Sequence, residues 1–174
     1  MKVIGIAGIS LDGCMTKHDS EGISFLSKED RKYFNDALLT FDCSLYGSKT
    51  FEAAKSYVLK TLTPNRLRIV LTSRIASFSQ YAQKGVLEFK SGNICKILDE
   101  LKRRQMKRCV VLGGSNVYTQ CIENKVMDEL WVTLEPLGFG SGKRMFTRQV
   151  EFYFSLISVE HLSPDTLLLK YKIK

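Results

Sequence analysis

Gly113 and Gly114 stand between an apolar run, Cys109-Val110-Val111-Leu112, and a stretch of helical spacing in which Val117 lies over Cys121 and Tyr118 over Ile122. Strand, glycine turn and helix in that order suit one chemistry. Glycines let the backbone turn sharply and approach a ligand. The free N–H groups of the following helix, together with its dipole, then face an anion. The segment from Leu112 through Gly113, Gly114, Ser115, Asn116 and Val117 to Tyr118 therefore reads as a place for a diphosphate. Gly-Gly also makes ordinary turns, and the spacing here is not G-x-G-x-x-G.

Other residues bear chemistry at element ends. Ser27 reads as a helix N-cap with Asp30 three residues on, ahead of Phe34, Ala37, Leu38 and Phe41 at helical spacing. A carboxylate in a first turn is favoured by the helix dipole alone, so Asp30 reads equally as a helix-end residue and as a functional acid. Thr50 opens a helical stretch whose N–H groups can meet phosphate oxygens. Thr72, Ser73 and Arg74 close the strand 68–72, and α/β sheets bind ligands at the carboxyl ends of their strands. Asp12 reads as a turn residue or as a loop latch. The run Gly138-Phe139-Gly140-Ser141-Gly142-Lys143-Arg144 looks like a P-loop but has Leu137 and Arg144 where glycine and Ser/Thr are required, so it reads as a flexible loop joining strands. The five cysteines and two histidines have no metal-ligand spacing, and buried free thiols are expected, with no metal.

These residues need a scaffold of alternating units. Strands are expected at 3–9, 44–46, 68–72, 86–89, 109–112 and 130–134, and helices from Ser27, Thr50, Asn93 and Asn116. In the third helix Ile94, Ile97, Leu98 and Leu101 form one apolar face. After Leu134 the helical period disappears, and 152–159 and 166–173 flank a Ser163-Pro164-Asp165 turn as an antiparallel hairpin. The expected fold is α/β, with a mostly parallel central sheet and an antiparallel edge, in one domain over 1–174.

Composition is consistent with this. The chain has 174 residues, 44% hydrophobic and 25% charged, as a globular domain should. No apolar run is long enough for a membrane helix, and the opening apolar segment is broken early by Asp12 and Gly13, so a cytoplasmic protein with no membrane partner is expected. The net charge of +8 fits a partner bearing phosphate. The tracts Lys102-Arg103-Arg104 and Lys107-Arg108 read as a solvated helix end, and no aromatics interleave with them, so nucleic acid is not expected.

Five segments in order resemble the dihydrofolate reductase superfamily, including the RibD C-terminal family of riboflavin-pathway reductase domains. They are Ser10-Leu11-Asp12-Gly13, Asp30-Arg31-Lys32-Tyr33-Phe34, Gly47-Ser48-Lys49-Thr50-Phe51, Leu71-Thr72-Ser73-Arg74, and Leu112-Gly113-Gly114 to Tyr118 followed by Met127-Asp128-Glu129-Leu130-Trp131-Val132-Thr133. The resemblance implies a dihydrofolate-reductase-like α/β/α fold and hydride transfer from NADPH to a small pterin- or pyrimidine-like substrate. It implies a cofactor site of Ile9, Gly47, Lys49, Thr50, Thr72 to Arg74 and Leu112 to Tyr118, with Arg74 on the 2′-phosphate. It makes Asp30, bridged to Thr133, the substrate anchor or proton source, gives Asp12 and Phe25 to a substrate loop, and suggests a homodimer. Ser48 replaces the family's arginine after the glycine. Leu112 aligns with a glutamate that riboflavin-pathway reductases usually carry, and Phe25 stands in place of tryptophan. A uracil-type riboflavin-pathway reductase remains an alternative within the class. A non-catalytic nucleotide- or nucleic-acid-binding domain is the alternative outside it.

Overall fold

The computed structural model describes residues 1–20 and 22–174. In chain order the elements are β1 (Lys2–Ser10), α1 (Lys28–Leu38), β2 (Cys43–Gly47), α2 (Ser48–Lys60), β3 (Leu67–Leu71), a 3-10 helix (Ile75–Tyr81), β4 (Leu87–Lys90), α3 (Ile94–Arg103), β5 (Arg108–Val111), α4 (Ser115–Glu123), β6 (Glu129–Glu135), β7 (Phe154–His161) and β8 (Leu167–Ile173). They build one eight-stranded sheet in the order β4-β3-β2-β5-β1-β6-β8-β7. The first six strands run parallel, and β8 pairs antiparallel with β6 and β7.

The parallel strands are buried on both faces, as crossover helices require. On one face α3 and α4 cover Val3, Ala7, Leu45, Ile69, Val111 and Val132. On the other, α1 sits over Ile4, Ile6 and Val110, while α2 and the 3-10 helix cover Tyr46 and Val70. The sequence expectation of a three-layer sheet with an antiparallel terminal hairpin holds.

Helix ends follow from local chemistry. Ser27 caps α1 by accepting from the Asp30 N–H at 3.1 Å, and Asn93 caps α3 by accepting from the Cys95 N–H at 2.8 Å. Two buried or half-buried arginines close the C-terminal ends of the other face. Arg66 donates to the Leu38 carbonyl at the end of α1, and Arg68 to the Thr61 carbonyl at the end of α2. Helix α2 begins at Ser48 rather than at Thr50, because Gly47 is extended and serves as its N-cap. The 3-10 helix was not expected, since a seven-residue segment with Phe78 as its one buried residue carries no apolar period.

Candidate active site

Parallel pairing places the carboxyl ends of β2, β5, β1 and β6 side by side along one edge of the sheet. The chain leaves β2 and β5 through glycine. Gly47 donates its N–H to the Gly113 carbonyl at 2.8 Å, so the two turns are joined. Gly47 and Gly114 are the N-caps of α2 and α4, and neither helix start has a side-chain cap, unlike α1 and α3. Two helix N-termini, each with unused amides and the positive end of its dipole, therefore lie next to one another.

The two glycines at this turn have different reasons. Gly113 has φ +83°, and a Cβ there would stand 2.7 Å from the Tyr118 ring. Gly114 has an ordinary φ of −67° in an extended backbone, and its Cβ would reach 3.3 Å from Thr50 Oγ1, into the space between the helix starts. The Gly113–Gly114 peptide is cis.

The other expected cofactor residues divide. Lys49 and Asn116 are exposed, and Thr50, Leu112, Ser115 and Ile9 are partly so, along this edge. Ser115 Oγ is already committed to the Arg144 carbonyl at 2.5 Å. Thr72 accepts from the Arg74 N–H at 3.0 Å, which shapes the end of β3 and leaves Ser73 and Arg74 at the surface. Arg74 has a long, exposed ion pair with Glu52 at 3.6 Å and lies over the Phe78 ring. Val117 and Tyr118 are different from expectation. Both side chains are core, the Tyr118 hydroxyl donates to the Ile6 carbonyl at 2.5 Å, and both amides donate to the Gly114 carbonyl. Their side chains serve packing: Tyr118 ties α4 to β1, and Val117 lies against Gly47 at the end of β2.

Asp30 is 5% exposed in the first turn of α1, and Thr133, 1% exposed, is its neighbour on β6. The Thr133 hydroxyl is buried and makes no hydrogen bond of ordinary geometry. Burial pushes the Asp30 carboxyl above its usual range. The Thr133 hydroxyl pulls it partway back, the Glu135 carboxylate adds to the rise, and Arg31 opposes it. The structure thus brings Asp30 and Thr133 together.

Glu135 was not singled out from the sequence. It is two residues beyond Thr133 and so shares its face of β6. It is buried and accepts from the Ser27 N–H at 2.9 Å, the Ser27 hydroxyl at 2.8 Å and the Thr166 hydroxyl at 3.2 Å. Strand alternation from Thr133 is the signal that finds it.

The two expected loop residues have structural partners. Asp12 accepts from the Ser10 hydroxyl at 2.5 Å and from the N–H groups of Phe139 and Gly140 at 3.1 and 2.6 Å. Those bonds, led by Ser10, hold its carboxyl down at about 2. It is a latch, but its catch is the 137–144 loop. Met15 donates to the Lys143 carbonyl, His18 to that of Ser141, and Lys143 to Thr16 Oγ1. Phe25 packs edge-on against Phe139, with ring centres 5.1 Å apart. The segment read as a flexible joining loop is therefore fastened to the loop after β1 along its length. A separate cleft of about 870 Å³ lies beside α1, lined by Tyr33, Arg108, Trp131, His161 and Lys170 among others; Asp30 and both glycine helix starts are outside it. No group of His, Cys, Asp and Glu among the described residues is arranged to hold a metal.

The sheet order, with its parallel strands, crossover helices and antiparallel terminal hairpin, defines an α/β fold of the dihydrofolate reductase type. The chain belongs to the RibD C-terminal domain family, whose model matches residues 1–168. It is 24% identical over 151 residues to the uncharacterized protein YyaP of Bacillus subtilis, covering 83% of this chain and 80% of that one. Its fold is similar to a diaminohydroxyphosphoribosylaminopyrimidine deaminase/5-amino-6-(5-phosphoribosylamino)uracil reductase of Thermotoga maritima (TM-score 0.78, 17% identity, 99% of this chain), of which it spans 56%. It is also similar to the dihydrofolate reductase of Enterococcus faecalis in its complex with NADP(H) (TM-score 0.66, 23% identity, 99% of this chain and 96% of that one).

Proposed function

We propose that the protein is an NADPH-dependent reductase that delivers hydride to a C=N or C=O group of a small pterin- or pyrimidine-like molecule. The observation that carries this reading is the pair of joined, glycine-capped helix starts at Gly47 and Gly114, at the same sheet edge as the buried carboxyl of Asp30. Two features support a dinucleotide. The gap beside Thr50 is one that a side chain at Gly114 would fill, and the dipoles of both helices favour a diphosphate there. Arg74, exposed past the end of β3, supports a contact with a 2′-phosphate. The bound cofactor supplies the hydride.

The chain's own residues do the rest. Thr50, Gly114, Ser115 and Asn116 would hold the diphosphate by backbone N–H groups, with Gly47 joining the two turns through its own N–H. The clasped loops at 11–20 and 137–144 shield the edge from water. Asp30, favoured in its protonated form by burial, gives a proton to the nitrogen or oxygen of the reduced bond. The similarity to the Thermotoga reductase favours a uracil-type, ribosyl-phosphate-bearing substrate as a second reading. Binding of NADPH and NADH followed by fluorescence, then loss of NADPH absorbance with dihydrofolate and with a diaminopyrimidine ribosyl phosphate, tests both. No binding of either dinucleotide would end the proposal, and binding without oxidation of any substrate would favour a non-catalytic nucleotide-binding domain.

A further inference from the structure

Reduction of C=N or C=O consumes a proton. The proposed function takes that proton from Asp30, and the role inferred for its neighbour Glu135 rests on that reading. Two buried carboxyls, Asp30 and Glu135, neighbour each other at the carboxyl end of β6, and the hydrogen bonds around them are unequal. Three donors converge on Glu135: the Ser27 N–H and hydroxyl on Oε1, and the Thr166 hydroxyl on Oε2. That is the environment of an ionised carboxylate, which only accepts. Among the described residues no N–H is donated to the carboxyl of Asp30, which has the Thr133 hydroxyl beside it. Ser27 joins the two groups. Its hydroxyl accepts the Asp30 N–H at 3.1 Å, which directs its own proton to Glu135.

We infer that Glu135 is the fixed anion of a two-carboxyl site: it positions Asp30 through Ser27, and the proton of the pair resides on Asp30. Two like charges held close in a dry site cannot both ionise at low cost, and the group with more donors keeps the charge. The other charges around Asp30 do not reverse this. Arg31, next to it on α1, opposes the rise, but its guanidinium is exposed and donates outward to the Ser24 carbonyl. Tyr33 lies within the influence of Asp30 and of Glu160 on β7, and burial keeps its own hydroxyl neutral. Glu135 is thus a positioning residue, since it acts through Ser27 and through its charge.

A plain structural knot among β6, α1 and the β7–β8 turn would also use Glu135, so the deciding readout is proton occupancy. Carbon-13 spectra of labelled side-chain carboxyls in the full chain, titrated with pH and assigned with Asp30→Asn, report both groups. In the parent, Asp30 is expected to keep its proton above the ordinary aspartate range; an Asp30 that titrates within or below that range overturns the inference without any variant. Glu135→Gln keeps an acceptor for Ser27 and removes the charge. It is expected to lower the Asp30 midpoint by about one pH unit, and with it the pH above which turnover falls. An unmoved Asp30 midpoint in folded Glu135→Gln overturns the electrostatic half. Ser27→Ala leaves the charge and cuts the bridge, and is expected to lower kcat about 10-fold with KM little changed; parental kcat overturns the positioning half. If Asp30→Asn turns over like the parent while the parent's Asp30 midpoint is raised and moves in Glu135→Gln, the catalytic assignment fails and the carboxyl pair stands.

Discussion

Asp30 is a carboxyl buried without a cation fixed against it, and both its chemistry and its cost follow from that. As proton donor, its replacement by asparagine is expected to lower turnover about 100-fold or more while leaving NADPH affinity nearly unchanged. The stability effect has the opposite sign from that of an ion-paired acid. Its folded-state pKa is raised above the ordinary value of 3.8. Between those two values the native chain holds a proton that the unfolded chain has released, so native stability falls as pH rises through that window and stays lower above it. An asparagine side chain does not titrate and escapes this loss. The Tm of Asp30→Asn relative to the parent should therefore improve from acid to neutral pH. Measured on the same samples, unchanged turnover with an even loss of Tm at every pH would leave Asp30 a helix-end residue only. Arg74 makes a separate claim at this scale. A lost charge-assisted hydrogen bond costs roughly 1.5–3 kcal/mol, so Arg74→Ala should weaken NADPH by about 10- to 100-fold and spare NADH. Its ion pair with Glu52 is long and exposed, so little stability should go with it. Equal losses for both dinucleotides, measured by direct binding, would place the contribution of Arg74 elsewhere.

Among the elements, the glycine-led start of α4 and the clasp between two loops are open to test. Gly114→Val is the informative substitution at the turn. Its backbone is extended and its new side chain would enter the space beside Thr50, whereas a side chain at Gly113 would strike Tyr118 from a left-handed conformation and break the core. The valine variant is expected to keep its circular dichroism and lose NADPH binding in calorimetry. A folded variant that binds like the parent would reduce the glycine pair to a turn. The clasp depends on Asp12, whose carboxyl is held at about 2 by Ser10 and the amides of Gly140 and Phe139. Its folded-state pKa is depressed, so its contribution is complete above the ordinary aspartate range and is lost as pH falls toward 2. Asp12→Asn is expected to speed hydrogen exchange at the Phe139 and Gly140 amides in particular, with little change across the sheet. Exchange there as slow as in the parent would show that the loop is held by its other contacts, such as Met15 to Lys143.

At the scale of the whole molecule, what was legible in the sequence was what repeats locally. Ile94, Ile97, Leu98 and Leu101 show helical spacing and are all buried, and the change of period after Leu134 marks the switch from crossovers to a hairpin. What was not legible depends on distance along the chain. Glu135 meets Ser27 across 108 residues and Asp12 meets Gly140 across 128, and neither pairing has a local signature. Gly47 as a helix cap was hard to read for another reason, since Ser48 and Thr50 beside it are residue types that cap helices more often. The sheet's outer edge supports one further prediction, that the chain is a homodimer. Strand β7 is terminal in the sheet order, so one side of its backbone is unpaired, and Tyr153, Leu156, Ile157 and Val159 on or beside it are half exposed or more. A long edge with apolar side chains is normally blunted by charge or covered. Here Leu156 and Ile157 adjoin a register shift that leaves both outside, and Glu160 near the strand's end is taken up by Lys170. A second copy of the same edge would cover it isologously. Light scattering should then give about twice the 19.8 kDa chain mass, falling to the single-chain value in Leu156→Lys with Val159→Lys. β7 is separated from β5 and β2 by three or more strands, so NADPH binding should persist in that variant. A parent that scatters as a single chain at the highest concentration reached would show that this edge stays uncovered, and a monomeric variant that no longer binds NADPH would show that pairing shapes the site.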